Sequence, residues 1–235
     1  MKRLILTEKP SVGRDIAKGL GQSFQSRDGY LESQNYVVSW AVGHLVELCS
    51  PEEHDEKWMK WSHESLPVIP SAFKYKVTAS GKKQFNVIKE LINRKDVSEI
   101  VNCGDPGREG ELIQRLILFK AGNKKPVLRF WTSKALTAEA VQEGFRSLRP
   151  SAEYDRLYES ALARQQADWI VGMSCTRAVT ISIGGTGSVY SVGRVQTPLL
   201  RILVDRENEI RNFVPQDYWT LAALFGHAKG MYMGR

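Results

Sequence analysis

The chain has 235 residues, 42% hydrophobic and 25% charged, enough apolar material to bury a sizeable core and too much for a disordered chain. Its 33 basic and 26 acidic residues leave a net charge of +7, most of it in the first 150 positions, which suits a polyanionic partner. Three well-separated cysteines, Cys49, Cys103 and Cys175, exclude a disulfide scaffold or zinc site and fit a reduced cytoplasm, and no apolar run approaches the roughly 20 residues needed to span a bilayer.

Arg3–Thr7 reads as a strand, Glu8–Ser11 as a tight turn, and the apolar positions 12, 16, 17 and 20 as a helix over 11–20. Further strands are expected near 36–42, 73–78, 99–103 and 127–132, and helices near 82–93, 109–120 and 137–147, the last capped by Thr137. This alternation predicts an α/β fold with a largely parallel sheet flanked by helices. Residues 51–72, with Trp58, Trp61 and three prolines, read as a long irregular insertion packed down by its tryptophans, with base stacking the alternative. After Pro150 the pattern turns helical, over 153–181 and 195–213, before a strand at 218–225. The expected division is 1–150, 151–213 and 214–235.

The chemistry concentrates in Cys103-Gly-Asp-Pro-Gly-Arg-Glu-Gly-Glu-Leu112, where Asp105, Glu109 and Glu111 follow the end of an apolar strand. Acids that close together repel unless a cation sits among them, and hard oxygen ligands favour Mg²⁺ or Ca²⁺. The competing reading is a solvated first helical turn, where acids are favoured by the helix dipole. In open α/β sheets, ligands gather beyond the carboxyl ends of parallel strands, where both Glu8 and Asp105 would fall. Two acidic turns in equivalent positions imply one shared site.

Glu8-Lys9-Pro10, Gly104-Asp-Pro-Gly-Arg-Glu-Gly-Glu111, Arg129-Phe-Trp-Thr-Ser133, Arg164–Gly172 and Ser191-Val-Gly-Arg-Val-Gln-Thr-Pro198 run in one order through nearly the whole chain. With these motifs the chain resembles the type IA DNA topoisomerases, in particular their bacterial topoisomerase III group. The resemblance implies a Toprim domain over 1–150, a partial helical DNA-binding domain over 151–213 and the start of a β-rich domain over 214–235. It also implies ATP-independent breakage, passage and rejoining of single-stranded DNA.

Carried over by position, Glu8 is a catalytic acid/base group near the leaving 3′ oxygen, Lys9 a catalytic cation beside the scissile phosphate, and Glu8, Asp105 and Glu109 the ligands of Mg²⁺. The family's middle aspartate is missing, because Gly107 stands there. Glu111 is a candidate replacement, but two helical positions apart it would point away from Glu109. Gly107 is expected instead to let the backbone approach a ligand or to adopt a positive φ. Ser191, Arg194 and Gln196 are expected to bind the DNA backbone, Arg164 to border the groove while pairing with Asp168, and His44 is a candidate at the rim.

Type IA enzymes cut through a tyrosine in a Tyr-x-Arg-Thr-Asp-like stretch, and none of the eight tyrosines here has such surroundings. No catalytic tyrosine is assigned, and the chain reads as the front third of a longer enzyme, inactive alone. Two other readings keep the fold: a non-catalytic remnant that binds single-stranded DNA, and a Toprim-type metal-dependent nuclease. A helicase or single-strand-binding protein is a candidate partner.

Overall fold

A computed structural model describes residues 1–184 and 187–235. The first half builds β1 (Lys2–Thr7), α1 (Pro10–Gly19), β2 (Gln25–Arg27), β3 (Tyr30–Glu32), β4 (Tyr36–Trp40), β5 (Val46–Leu48), α2 (Pro51–His54), β6 (Tyr75–Val77), α3 (Lys82–Asn93) and β7 (Val97–Cys103). Then come α4 (Arg108–Ala121), β8 (Val127–Arg129), α5 (Ala138–Arg146), β9 (Arg149–Pro150), α6 (Asp155–Ile183), α7 (Gln196–Arg211), β10 (Ala223–His227) and β11 (Gly230–Gly234).

Seven strands form one sheet in the order β2-β3-β4-β1-β7-β8-β9. Its centre, β4-β1-β7-β8, is parallel, and both edges are antiparallel. The central strands are apolar on both faces because helices cover both. Leu4, Leu6, Val37 and Ile100 pack on one side with Phe85, Ile88, Leu112 and Leu116 of α3 and α4. Ile5, Val38 and Val101 pack on the other with Ile16, Ala17 and Val141 of α1 and α5.

The expected parallel centre is therefore present, with corrections at the margins. β2 and β3 are three-residue strands around Asp28-Gly29, too short to show a period, and Gly29 takes the positive φ of 83° that the turn needs. β6, expected in the main sheet, pairs with β5 in a two-stranded ribbon. Residues 218–222 lack a ladder partner among the described residues, so the last strand begins at Ala223 and pairs with β11, which was not expected. Thr137 caps α5 by accepting from the Ala140 N–H.

The insertion at 51–72 lies against α6. Trp58 is buried and donates from Nε1 to Ser65 O, Arg177 donates to Trp58 O at 2.6 Å, and Ser174 Oγ accepts from the Val68 N–H. His54, Phe73 and Trp169 form an aromatic cluster between them. Among the described residues no helix is long and apolar enough to cross a membrane.

By contact density the chain divides into two compact units, Met1–Gly193 and Arg194–Arg235. The second contains α7 and the β10–β11 hairpin, where Phe225 stacks on Tyr232 at 5.1 Å. The first is the sheet with its helices and α6.

α5 approaches the end of β8 through a glycine. A Cβ on Gly144 would lie 2.2 Å from the Phe130 ring, itself buried against Phe145. Gly144→Ala is expected to destabilise the fold by about 1–3 kcal/mol, as overpacking does, measured by urea unfolding.

Candidate active site

Parallel pairing of β1 with β7 puts Thr7 opposite Cys103, so Glu8 and Asp105 leave the same edge of the sheet from adjacent strands. Thr7 Oγ1 donates to Lys9 O, closing the first turn, and α1 follows at Pro10. The second turn, residues 104–107, leads into α4. Lys9 Nζ bridges the two turns, donating to Asp105 Oδ2 at 2.8 Å.

A third segment reaches the same edge from β4. The Ala41 N–H donates to Thr7 O and the Val42 N–H to Glu8 O, carrying Val42-Gly43-His44 alongside the first turn. Val42 takes a φ of 56°, strained for a β-branched residue, and Gly43 a φ of 80°. His44 Nε2 then meets Glu109 Oε1 at 3.0 Å.

Glu8 sits among these charges. Burial, then the neighbouring Asp105 carboxylate, raise its pKa above the ordinary value, opposed by Lys9 and His44. The hydrogen bond to Asp105, and its charge, raise Lys9. The arrangement sets a carboxyl whose pKa is raised beside an ammonium whose pKa is raised as well.

Gly107 has φ 167° and ψ 173°, extended backbone open to any residue, and a Cβ there would meet nothing within 4 Å. The expected positive φ is therefore wrong, and nothing steric excludes a side chain. Close packing within the turn lies at Gly104 and Gly110. A Cβ on Gly104 would fall 2.6 Å from Gly110 O, and one on Gly110 only 2.3 Å from Asp105 O.

With this geometry in view, the family models are informative. The Toprim domain model matches residues 3–134, and the DNA topoisomerase model residues 152–234. The chain belongs to the Toprim family. It is 49% identical over 222 residues to DNA topoisomerase 3 of Staphylococcus epidermidis (strain ATCC 12228 / FDA PCI 1200), and 48% identical over 222 residues to DNA topoisomerase 3 of Staphylococcus aureus (strain USA300). Each match covers 94% of this chain and 30% of the relative, so the chain spans about 30% of the length of these relatives.

Within the Toprim domain, Glu111 does not join the other acids. It is fully buried, with Arg129 Nε 2.8 Å from one oxygen and Arg115 Nε donating to the other at 2.8 Å. The Arg129 contact is an ion pair whose N–H lies off the hydrogen-bond direction. Asn102 donates to Glu111 Oε2 and accepts from the Gly104 N–H. Arg129, also buried, donates to the carbonyls of Asn102, Gly104, Asp105 and Phe130.

Arg129, Arg115 and Asn102 were not assigned from the sequence. The register that pairs Asn102 with Arg129 across β7 and β8 is long-range information no local pattern carries.

Arg164 pairs with Asp168 on α6 at 3.9 Å. Ser191 belongs to a segment held on α6 by Thr176 and Thr180, which bond the Val192 and Tyr190 main chain. Arg194 and Gln196 begin the second unit.

Glu8, Asp105 and Glu109 offer the hard oxygens that suit a divalent cation, but Asp105 is engaged by Lys9 and Glu109 by His44. Among the described residues no three His, Cys, Asp or Glu side chains are grouped around one point. The donors fit Mg²⁺ in kind and would have to be released from their present partners to hold it.

Removing one partner of the buried pair, by Arg129→Met or Glu111→Leu, is expected to cost about 3–5 kcal/mol, because the other charge is left uncompensated. In the double variant the two costs are expected to fall short of additivity by about 0.5–3 kcal/mol, measured by urea unfolding.

Glu8 has a separate signature in pH. From its ordinary value of 4.5 up to its raised value in the fold, the folded chain binds more protons at Glu8 than the unfolded chain, so stability falls as pH rises through that window. The unfolding free energy of wild type minus that of Glu8→Gln should therefore decline with pH and then level off.

Proposed function

We propose that the chain supplies the Toprim half of a type IA topoisomerase site, which breaks and rejoins single-stranded DNA without ATP. The observation that carries this reading is the meeting of Glu8 and Lys9, beyond β1, with Asp105, beyond the adjacent parallel strand β7, where Lys9 Nζ donates to Asp105 Oδ2 at 2.8 Å. Identity of 48–49% to proteins named DNA topoisomerase 3 supports the assignment of the chemistry.

In this reading a tyrosine oxygen attacks the phosphorus of the backbone, a 5′-phosphotyrosine bond forms, and the bond to the 3′ oxygen breaks. The attacking tyrosine hydroxyl loses its proton to solvent, Glu8 delivers the proton that the departing 3′ oxygen takes up, and on rejoining Glu8 recovers its proton from the 3′ hydroxyl while the released tyrosine oxygen takes one from solvent. Lys9 offsets negative charge that grows on the phosphoryl oxygens. Glu8, Asp105 and Glu109 would hold one Mg²⁺, whose charge helps to anchor the DNA backbone. Ser191, Arg194 and Gln196 would bind backbone phosphates, with Arg164 at the border of the groove. The attacking hydroxyl is assigned to none of this chain's eight tyrosines.

The test uses the purified chain with a single-stranded oligonucleotide, supercoiled DNA and Mg²⁺. Salt-sensitive binding of the single strand without relaxation is expected. Calorimetric titration should show weak Mg²⁺ binding, weaker still in Glu109→Gln, and tighter by about an order of magnitude in Gly107→Asp, where a carboxylate meets no obstacle. Metal-dependent nicking would instead favour a nuclease, and unaltered Mg²⁺ binding in both variants would remove Glu109 and position 107 from the site.

A further inference from the structure

Beside the acidic turn lies a cleft of about 230 Å³ that the chemistry proposed above leaves unused. Its apolar surface comes from Val12 and Ile16 of α1, Cys103 at the end of β7, and Phe130 and Leu136 beyond β8. Its polar lining residues are Thr132, Ser133 and Lys134 of the 132–134 loop, and Asp105. Thr132 Oγ1 accepts from the Lys134 N–H, which fixes the loop's shape, and Lys134 Nζ pairs with the exposed Glu143.

We infer that this cleft receives one nucleobase of the DNA strand whose phosphate lies at Lys9, the base being sandwiched between the Val12 side of α1 and the Phe130–Leu136 segment. The inference rests on the reading of Glu8 and Lys9 as the backbone-cleaving groups. Asp105 joins the two places, because its carboxylate holds Lys9 and it also lines the cleft. Base and phosphate of one nucleotide are separated by a single sugar, so a strand lying on Lys9 carries a base to the cleft mouth.

The lining chemistry suits that occupant. A ligand site is mostly apolar, with a few polar groups that orient the ligand, and a volume of about 230 Å³ takes one heterocycle but no helix or duplex. Hydroxyl groups at the rim can donate to or accept from any base edge, so the site would hold a base with little sequence preference. Lys134 is positioned at the same rim to meet a neighbouring phosphate, at the expense of its exposed pair with Glu143.

The experiment uses the 235-residue chain and a thymidine oligonucleotide carrying a single 4-thiothymidine stepped along its length. Irradiation should cross-link one position to peptides spanning 12–16 or 130–136. Leu136→Trp and Val12→Trp, checked for an unchanged melting midpoint, should each weaken binding of the oligonucleotide about ten-fold, the scale of one lost base contact. An oligonucleotide with an abasic sugar at the cross-linking position should bind wild type about ten-fold less tightly and the filled variants no worse than the intact strand does.

Binding with cross-links only elsewhere, or filled variants that bind like wild type, would overturn the cleft assignment while leaving the proposed function standing. Failure of the wild-type chain to bind the single strand at all would overturn both. A free deoxynucleoside monophosphate that occupied the cleft as tightly as the oligonucleotide would overturn the assignment to a strand.

Discussion

The guanidinium of Arg129 is the constraint on which the site depends. It is buried at the end of β8, and four main-chain carbonyls converge on it, one from the end of β7 and two from the turn that follows it. Carbonyls pointing inward at the end of a strand would be costly without donors, and a buried cation would be costly without an anion. Glu111 answers the second need from the first turn of α4, while Arg129 answers the first. The turn and the helix that follows it are thereby fixed to the neighbouring strand, and Gly104 and Gly110 permit the backbone contact this demands. Arg115 extends the same network outward, donating to Glu111, Asp155 and Ser151 O, so the acidic turn is tied to the start of α6.

Two kinds of acid result from one short run of sequence. Glu111 is fully buried and neutralised by arginines, whereas Asp105 is half exposed and held by Lys9, and Glu109 is exposed and held by His44. Helical geometry does the sorting, since residues two apart on α4 face nearly opposite ways. The buried acid fixes the frame and the exposed acids remain free to exchange partners. Exchange is inexpensive at the rim, because exposed ion pairs contribute little, so a phosphate or cation arriving there displaces weak contacts and leaves the buried network intact.

Local patterns made much of this legible. The strand-turn-helix units at 3–20 and 99–120 follow from apolar spacing alone, and their equivalence brings Glu8 and Asp105 to the same edge, as the β1–β7 register bears out. Helix α3 matches its expected limits, because four apolar residues, Phe85, Ile88, Leu91 and Ile92, mark its buried face. What local patterns could not supply is long-range pairing. Arg129 looks like any strand-end arginine until β8 is set beside β7, and β6 reads as a sheet strand until β5 claims it. The positive φ expected at Gly107 misled for a related reason: a glycine in a run of acids invites a conformational explanation, yet its backbone is extended and the tight contacts within the turn belong to Gly104 and Gly110, which only the packed turn reveals.

The vacancy at Gly107 is therefore an electrostatic matter. A carboxylate there would meet no atom within 4 Å, so sterics do not exclude it. It would, however, add a negative charge to a group in which Glu8 is already pushed upward by burial and by Asp105. The Lys9 ammonium and the His44 ring face those carboxylates, and each already serves one. A further acid would raise Glu8 still more, or would require a bound cation to hold the turn together. With glycine at this position Asp105 and Glu109 each keep a side-chain partner, so Lys9 is held on Asp105 by the protein before any cation or phosphate arrives.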